Sequence, residues 1–392
     1  MKTLKYTASL LGLLIVIISC AGGTPEETRA NDSDINILKF TPGKNISGKV
    51  FDRVSKDTNL QTSSHIRHLL IDKENRIWFG TYLLGFGVYD GDGQYRFETP
   101  NGTNGNIIRK MITDKNGDVW MASNYGLIHY NHLLPADMPD SYNRFTTKDG
   151  LPSNQIWSIC ADPNGGFWAG TENGLCHYDG KNFTSLQLPG APAELPANAY
   201  ATSFAINSIT LAGDEKLWIG TNGNGLFIYT PSTPEKGFLQ LNTSDGLCDN
   251  IVNCITIDKK GIAWIATRSG GISRYDGSKF TTINTKNGLP GNFVWTVMED
   301  RFGQIWAGTA GNGAVCMNGN NINVFNVKNG MADNYVQSII EDDKGNIWFG
   351  TGMGITRYND NHLFEKEAKT APENREAIRK HMESFPASMD GC

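Results

Sequence analysis

The sequence predicts an all-β protein, a seven-bladed β-propeller of four-stranded antiparallel blades with a short C-terminal helix. Three observations lead there. A W-x-[GA]-[TS] phrase occurs seven times, beginning at Trp78, Trp120, Trp168, Trp218, Trp264, Trp306 and Trp348, at spacings of 42 to 50 residues. Twelve residues before each of these tryptophans stands an aliphatic residue: Ile66, Ile108, Ile156, Ile206, Val252, Val294 and Val336. Glycine makes up 44 of 392 residues, about 11% against a usual ~7%, as a chain of many tight turns requires. A unit of this length holding four short strands has the period of a propeller blade.

Composition narrows the function classes. Lys and Arg number 35 against 40 Asp and Glu, a net charge of −5, which excludes a polybasic nucleic-acid binder. Hydrophobic residues at 39%, with 18 Phe, 13 Tyr and 9 Trp, supply the bulk of a core and exclude disorder as a global description.

At the N-terminus, Lys2 and Lys5 precede an apolar run from Ala8 to Ile18. That run is too short to span a bilayer comfortably and is expected to be an export signal. It ends Ile17-Ile18-Ser19-Cys20-Ala21-Gly22, which resembles the lipobox of bacterial lipoproteins. The resemblance implies a signal peptide over 1–19, a lipidated Cys20 and a flexible tether over 20–34. No Asp follows Cys20, which in that family implies the outer membrane. No second apolar span occurs, so acyl chains are the expected membrane attachment. The propeller is expected over 35–366 and a tail over 367–392, where Ile378, Met382 and Phe385 have helical spacing.

One unit shows the blade. Asn154 to Leu186 reads NQIWSICADPNGGFWAGTENGLCHYDGKNFTSL. Its first strand, around Ile156 to Ala161, ends in an Asp-Pro-Asn-Gly turn that returns as DKNG, DKKG, DRFG and DDKG elsewhere. The second strand carries the Trp and the Thr. A Gly-bearing loop leads to a third strand ending in Tyr178-Asp179-Gly180, and the fourth runs from Asn182 to Leu186. A large flat side chain on the second strand fills the gap to the next blade, worth ~3 kcal/mol or more on truncation. The hydroxyls that follow, such as Thr171 and Thr351, are expected to bond neighbouring backbone. Ring closure needs an outer strand for blade seven, expected from the N-terminal segment near Phe51, with His362 to Lys366 as the alternative.

The pattern GLPxNxIxSIxxDxxGxxWxGTxxGLxxYDGxxF, with Asp149-Gly150-Leu151-Pro152 and Asn287-Gly288-Leu289-Pro290 in place, resembles the two-component regulator propeller repeat over roughly residues 48 to 365. That repeat is found in periplasmic sensor regions of hybrid two-component systems. The sequence carries no kinase segment, so the resemblance implies a ligand-sensing or binding propeller, often connected with glycan use, without a transducer of its own.

Propeller loops entering the innermost strand and loops joining the second and third strands share one face around the channel mouth, where function generally lives. The position after the aliphatic marker reads Arg67, Arg109, Trp157, Asn207, Asn253, Trp295 and Gln337, polar or aromatic in every repeat. Flat aromatics pack on sugar C–H surfaces, and amides and guanidinium groups bond hydroxyls. This column is the candidate oligosaccharide site, with inter-blade packing as the competing reading. Tyr125, Glu172, Asn222, Asn224, Arg268 and Asn312 in adjacent loops are secondary candidates. The long connection from Leu188 to Phe204 enters an innermost strand on the same face and is a candidate lid, with Tyr200 or Phe204 reaching the mouth.

Chemistry is scarce. No H-E-x-x-H, G-x-S-x-G, Walker loop or C-x-x-C occurs, so no catalytic residue, metal or cofactor is expected. His129 and His177 share a repeat position with Arg274 and Arg357 and read as outer-sheet residues. Asp90-Gly-Asp-Gly reads as a hairpin turn. Cys160 and Cys176 fall two strand spacings apart, ~9.5 Å, beyond disulfide reach; with Cys254 and Cys316 they read as small buried residues. The expected function is therefore a non-catalytic binding propeller whose partners are an oligosaccharide, the membrane through its lipid, or an outer-membrane or sensor protein. The alternatives are a scaffold in an outer-membrane complex and a propeller enzyme similar to the streptogramin lyases. Such a lyase needs a His and carboxylate cluster on one face, and His65 alone of the histidines falls near the mouth.

Overall fold

The computed structural model describes residues 35–38, 65–82, 85–89, 94–97, 107–133, 141–195, 200–213, 215–319 and 321–358. The signal sequence, the tether and the expected C-terminal helix lie outside them. The described strands form seven four-stranded antiparallel sheets, the blades of a seven-bladed propeller. The innermost strands are Ile66–Ile71, Ile108–Thr113, Ile156–Ala161, Ile206–Leu211, Val252–Ile257, Val294–Glu299 and Val336–Glu341. Blade three shows the pattern: Ile156–Ala161, Phe167–Thr171, Gly174–Tyr178 and Phe183–Leu186 pair in sequence order. Blade seven is completed by the N-terminal strand Ile35–Leu38, which pairs antiparallel with Gly354–Tyr358. The latch thus comes from the N-terminal side, as expected, but from an Ile-Asn-Ile-Leu segment upstream of Phe51.

The core lies between blades. Each interface holds one apolar cluster in which the Trp of one blade meets the inner strands of the next: Trp78 packs with Ile108 and Met111, Trp120 with Ile156 and Ile159, and Trp348 with Ile66 and Leu69. The repeated phrase has a packing reason at every letter. The indole N–H donates to an Asp carboxylate six residues upstream in five blades, at 2.7 to 3.2 Å: Asp72, Asp114, Asp258, Asp300 and Asp342. In blade three, Asp162 Oδ2 takes His177 instead, and in blade four Ala212 stands at this place. The small third letter is where the next blade's marker presses. A Cβ on Gly80 would sit 2.6 Å from Ile108 Cγ2, and one on Gly308 2.6 Å from the Val336 carbonyl. The final hydroxyl donates to the carbonyl of the glycine opening the third strand in all seven blades, at 2.6 to 2.8 Å. It closes a tight loop and is not available as a hydroxyl ring.

The Gly-Leu-Pro phrase is equally mechanical. Thr146 and Asp149 form a capping box on a single 3-10 turn, Gly150 follows at φ 105°, and Asn154 Oδ1 accepts from the Thr147 amide. The Leu after the glycine is buried, as at Leu151, Leu247 and Leu289. This turn carries the chain from one blade's outer strand to the next blade's innermost one.

Candidate functional site

Every innermost strand carries the same irregularity. Ile66 pairs with Thr81 and His68 with Gly80, so Arg67 is an extra residue opposite a single step of its partner. The same bulge recurs around Arg109, Trp157, Asn207, Asn253, Trp295 and Gln337. A bulged residue leaves the ladder and its side chain is re-aimed. All seven line one cavity of about 550 Å³ in the central channel, a size ordinary for small-ligand sites.

The seven differ in what they do there. Arg109 donates to the Ile156 carbonyl at 2.8 Å, Asn207 to the Val252 carbonyl at 3.1 Å and Asn253 to the Val294 carbonyl at 2.8 Å. Each acceptor is the aliphatic marker of the following blade, so these three side chains bolt neighbouring blades together. Arg109 also reaches Gln155 Oε1 at 2.9 Å and covers the Trp157 ring at 4.0 Å. Trp157 donates its indole N–H to Glu172 at 2.7 Å. On the other arc, Trp295 Nε1 and Gln337 Oε1 meet no partner at full hydrogen-bond geometry, and their polar neighbours are side chains, Tyr335 for Trp295 and His65 for Gln337. Among the described residues Arg67 makes no side-chain hydrogen bond or ion pair; its guanidinium lies 5.9 Å from the Tyr82 ring. Blades two to five are therefore stitched across the channel, and blades six, seven and one are open.

Of the secondary candidates, Asn222 and Arg268 line the cavity, and Tyr125, Glu172, Asn224 and Asn312 do not. Glu172, Asn222 and Asn224 hold the segment before Ile206: Glu172 accepts from the Thr202 amide, while the two amides donate to Ala201 at 2.7 Å and Ser203 at 2.9 Å. Tyr200 reaches the mouth, 5.4 Å from the Trp157 ring. Phe204 instead packs on the core between blades three and four. His68 and Lys110 also line the channel; sequence reasoning missed them because it tracked only the residue directly after each marker.

Burial sets the electrostatics. It holds the guanidinium groups of Arg67 and Arg109 below their ordinary value, and Arg67 lowers Arg109 further. His65 is lowered by burial and then by Arg67, and His68 well lowered by burial and then by Lys110. His68 Nδ1 accepts from the Met111 amide at 3.3 Å, a role only an unprotonated nitrogen can fill.

One cluster elsewhere has metal-ligand chemistry: Asp114, Asp118 and His129 offer atoms within 4.8 Å of one another. Their oxygens are already engaged. Asp118 takes His129 at 3.0 Å and His132 at 2.8 Å, while Asp114 takes Trp120 and the amides of its own turn. Burial alone would push the Asp118 carboxyl up, but the bonds from His132 and His129 hold it below its ordinary value. Among the described residues the five cysteines form no disulfide with one another; Cys176 and Cys316 are buried, and Cys160 and Cys254 half-buried.

With the fold and channel in view, the relationships can be placed. A model described as "two component regulator propeller" matches residues 60–83, 150–173, 246–269, 288–311 and 330–353. The chain carries two-component regulator propeller repeats. No curated protein matches the sequence. Among solved structures, the repeats superpose on the extracellular domain assigned to the hybrid two component system BT3049 of B. thetaiotaomicron, with a TM-score of 0.63 and 22% identity over 77% of this chain. The chain spans 40% of that domain. Virginiamycin B lyase from Staphylococcus aureus gives a TM-score of 0.60 at 16% identity, covering 75% of this chain and 94% of the lyase. PorZ, a surface component of the type-IX secretion system of Porphyromonas gingivalis, gives 0.56 at 15% identity over 75% of this chain and 46% of its own. At these identities the likeness is one of fold. No helix among the described residues is long and apolar enough to cross a membrane.

Proposed function

We propose that this protein is a non-catalytic binding propeller, held to the outer membrane by lipid on Cys20 and facing the periplasm or the cell surface, that takes an oligosaccharide in its central channel. The observation that carries the reading is the open arc. Three consecutive blades present Trp295, Gln337 and Arg67 to one cavity, none of them tied to the next blade's backbone as Arg109, Asn207 and Asn253 are. Polar and aromatic side chains that the ring does not use for its own cohesion, gathered around a cavity, are the ones left to meet a ligand. Binding is favoured over lysis because the lining contains no Asp or Glu among the described residues, and His68, one of the histidines nearby, is engaged as an acceptor. The extracellular domain of the same fold supports an extracytoplasmic place of work.

The test is thermal unfolding of the protein lacking residues 1–20, screened against oligosaccharides, for wild type, Trp295→Ala and Trp157→Ala. A ligand at 100 times its Kd adds about 2.7 kcal/mol. The geometry expects the response to vanish in Trp295→Ala. A screen with no stabilising saccharide would remove the proposal and leave the scaffold reading ahead.

A further inference from the structure

The sign of the channel is opposite to that of the chain. The protein carries a net charge of −5, yet the cavity is lined by Arg67, Arg109, Lys110 and Arg268, and by no Asp or Glu among the described residues. Low-dielectric walls concentrate a field of one sign and raise the local concentration of the opposite charge. A buried cation is normally paired, because leaving water is costly unless a counter-charge replaces the solvent.

Arg109 has its acceptors, the Ile156 carbonyl and Gln155, with Trp157 beneath it. Half-buried Arg67 has none among the described residues, and it acts unfavourably on Arg109, which Tyr200 and Glu172 favour. Half-buried Lys110 and exposed Arg268 likewise make no side-chain hydrogen bond or ion pair among the described residues; Arg268 rests 5.7 Å over the Phe293 ring. Two guanidinium groups, one from blade one and one from blade two, thus face one cavity whose described lining holds no carboxylate. Trp295 lines the same cavity from blade six. Cationic and N–H donors with an aromatic ring are the groups that grip an oxyanion carried on a ring-shaped molecule.

We propose that the channel binds an acidic ligand, an oligosaccharide bearing carboxylate or sulfate groups, with Arg67 of the open arc as the principal seat of the oxyanion and Lys110 and Arg268 of the flanking blades as supporting charges. The proposal rests on the binding reading above and adds to it the ligand's charge. A neutral sugar would leave Arg67 without a counter-charge; a uronate or sulfate ester supplies one.

The first arm of the test is independent of which sugar is right. Unfolding midpoints are measured in sodium sulfate and in sodium chloride at equal ionic strength, for wild type, Arg67→Met and Arg67→Lys. The comparison between proteins subtracts the general stabilisation that sulfate gives any fold. The expected result is an extra rise of several degrees in wild type that is absent in Arg67→Met and partly kept in Arg67→Lys, with Arg67→Met at least as stable as wild type in chloride. Equal responses of the three proteins to sulfate overturn the proposal. The second arm compares trigalacturonate with its methyl ester, which has the same length without the charge. Tighter binding of the acid, weakening as salt rises and lost in Arg67→Met, supports an oxyanion carried on a glycan. A neutral glycan that stabilises wild type and Arg67→Met alike, with no Arg67-dependent sulfate effect, overturns the acidic ligand while the binding reading stands. No response to any anion or saccharide removes both.

Discussion

Two arcs of the same ring make opposite use of the same bulge. In blades two, four and five the bulged residue reaches forward to the backbone carbonyl of the next blade's marker, through Arg109, Asn207 and Asn253, and Trp157 between them is tied to Glu172. In blades six, seven and one the corresponding Trp295, Gln337 and Arg67 make no such bond. The backbone geometry that delivers the side chain is common to all seven, so the difference lies wholly in side-chain reach and partner. The lesson is that the column does not act as a whole: one arc is spent on cohesion between blades, and the other makes no bond to the next blade's backbone.

The largest test of that division is Arg109→Ala against Arg67→Met. The first strands the Ile156 carbonyl and Gln155 inside the ring and is expected to cost about 3 kcal/mol, the sum of more than one unsatisfied buried acceptor. The second removes an unpaired charge and is expected to cost nothing, or to stabilise. Urea unfolding of both variants reads the contrast, and comparable losses would erase the distinction between arcs. Next in size is the amide pair. Asn253→Ala should lose about 1 to 2 kcal/mol by abandoning the Val294 carbonyl, whereas Gln337→Leu breaks no bond to the next blade and should cost less than about 1 kcal/mol.

The smallest effect is a pH dependence, and it sharpens the comparison because His65 and His68 both belong to blade one. Burial holds both below their ordinary value. The unfolded chain therefore takes up protons near pH 6.5 that the folded protein accepts only at lower pH. Their contribution to stability is complete above about pH 6.5 and declines as the pH falls below it. Urea midpoints at pH 7.5 and 5.5 should differ for wild type and converge for a His65→Gln, His68→Asn double variant. An unchanged difference in the double variant would place the sensitivity elsewhere.

The architecture was legible because it is written seven times. A Trp, a small residue and a hydroxyl at fixed offsets, with an aliphatic residue twelve positions earlier, describe contacts made within a blade or with its immediate neighbour, and repetition separates them from chance. The upstream Asp was visible as part of a turn, but its second task, accepting the indole N–H, was not read, although it stands six residues before the Trp at Asp72, Asp114, Asp258, Asp300 and Asp342 alike. The column of candidate residues was equally legible as a column. Its division into two arcs was not, because the partners of Arg109, Asn207 and Asn253 are main-chain carbonyls some forty to fifty residues away, which have no side-chain signature. Lys110 and His68 escaped for a related reason: the bulge shifts which residues face the channel, and a bulge leaves no mark in an aliphatic pattern.

The latch also says something about gene order. Ile35 and Tyr358 face each other across the ladder of blade seven, at the place where the Asp276 to Lys279 turn of blade five joins a third strand to its outer strand. The start and end of the ring are thus the two sides of a missing hairpin. A chain that begins at the exposed Asp276–Lys279 turn and carries a Tyr-Asp-Gly-type hairpin between residues 358 and 35 would trace the same ring from a different origin, since closely placed ends are what circular permutation requires.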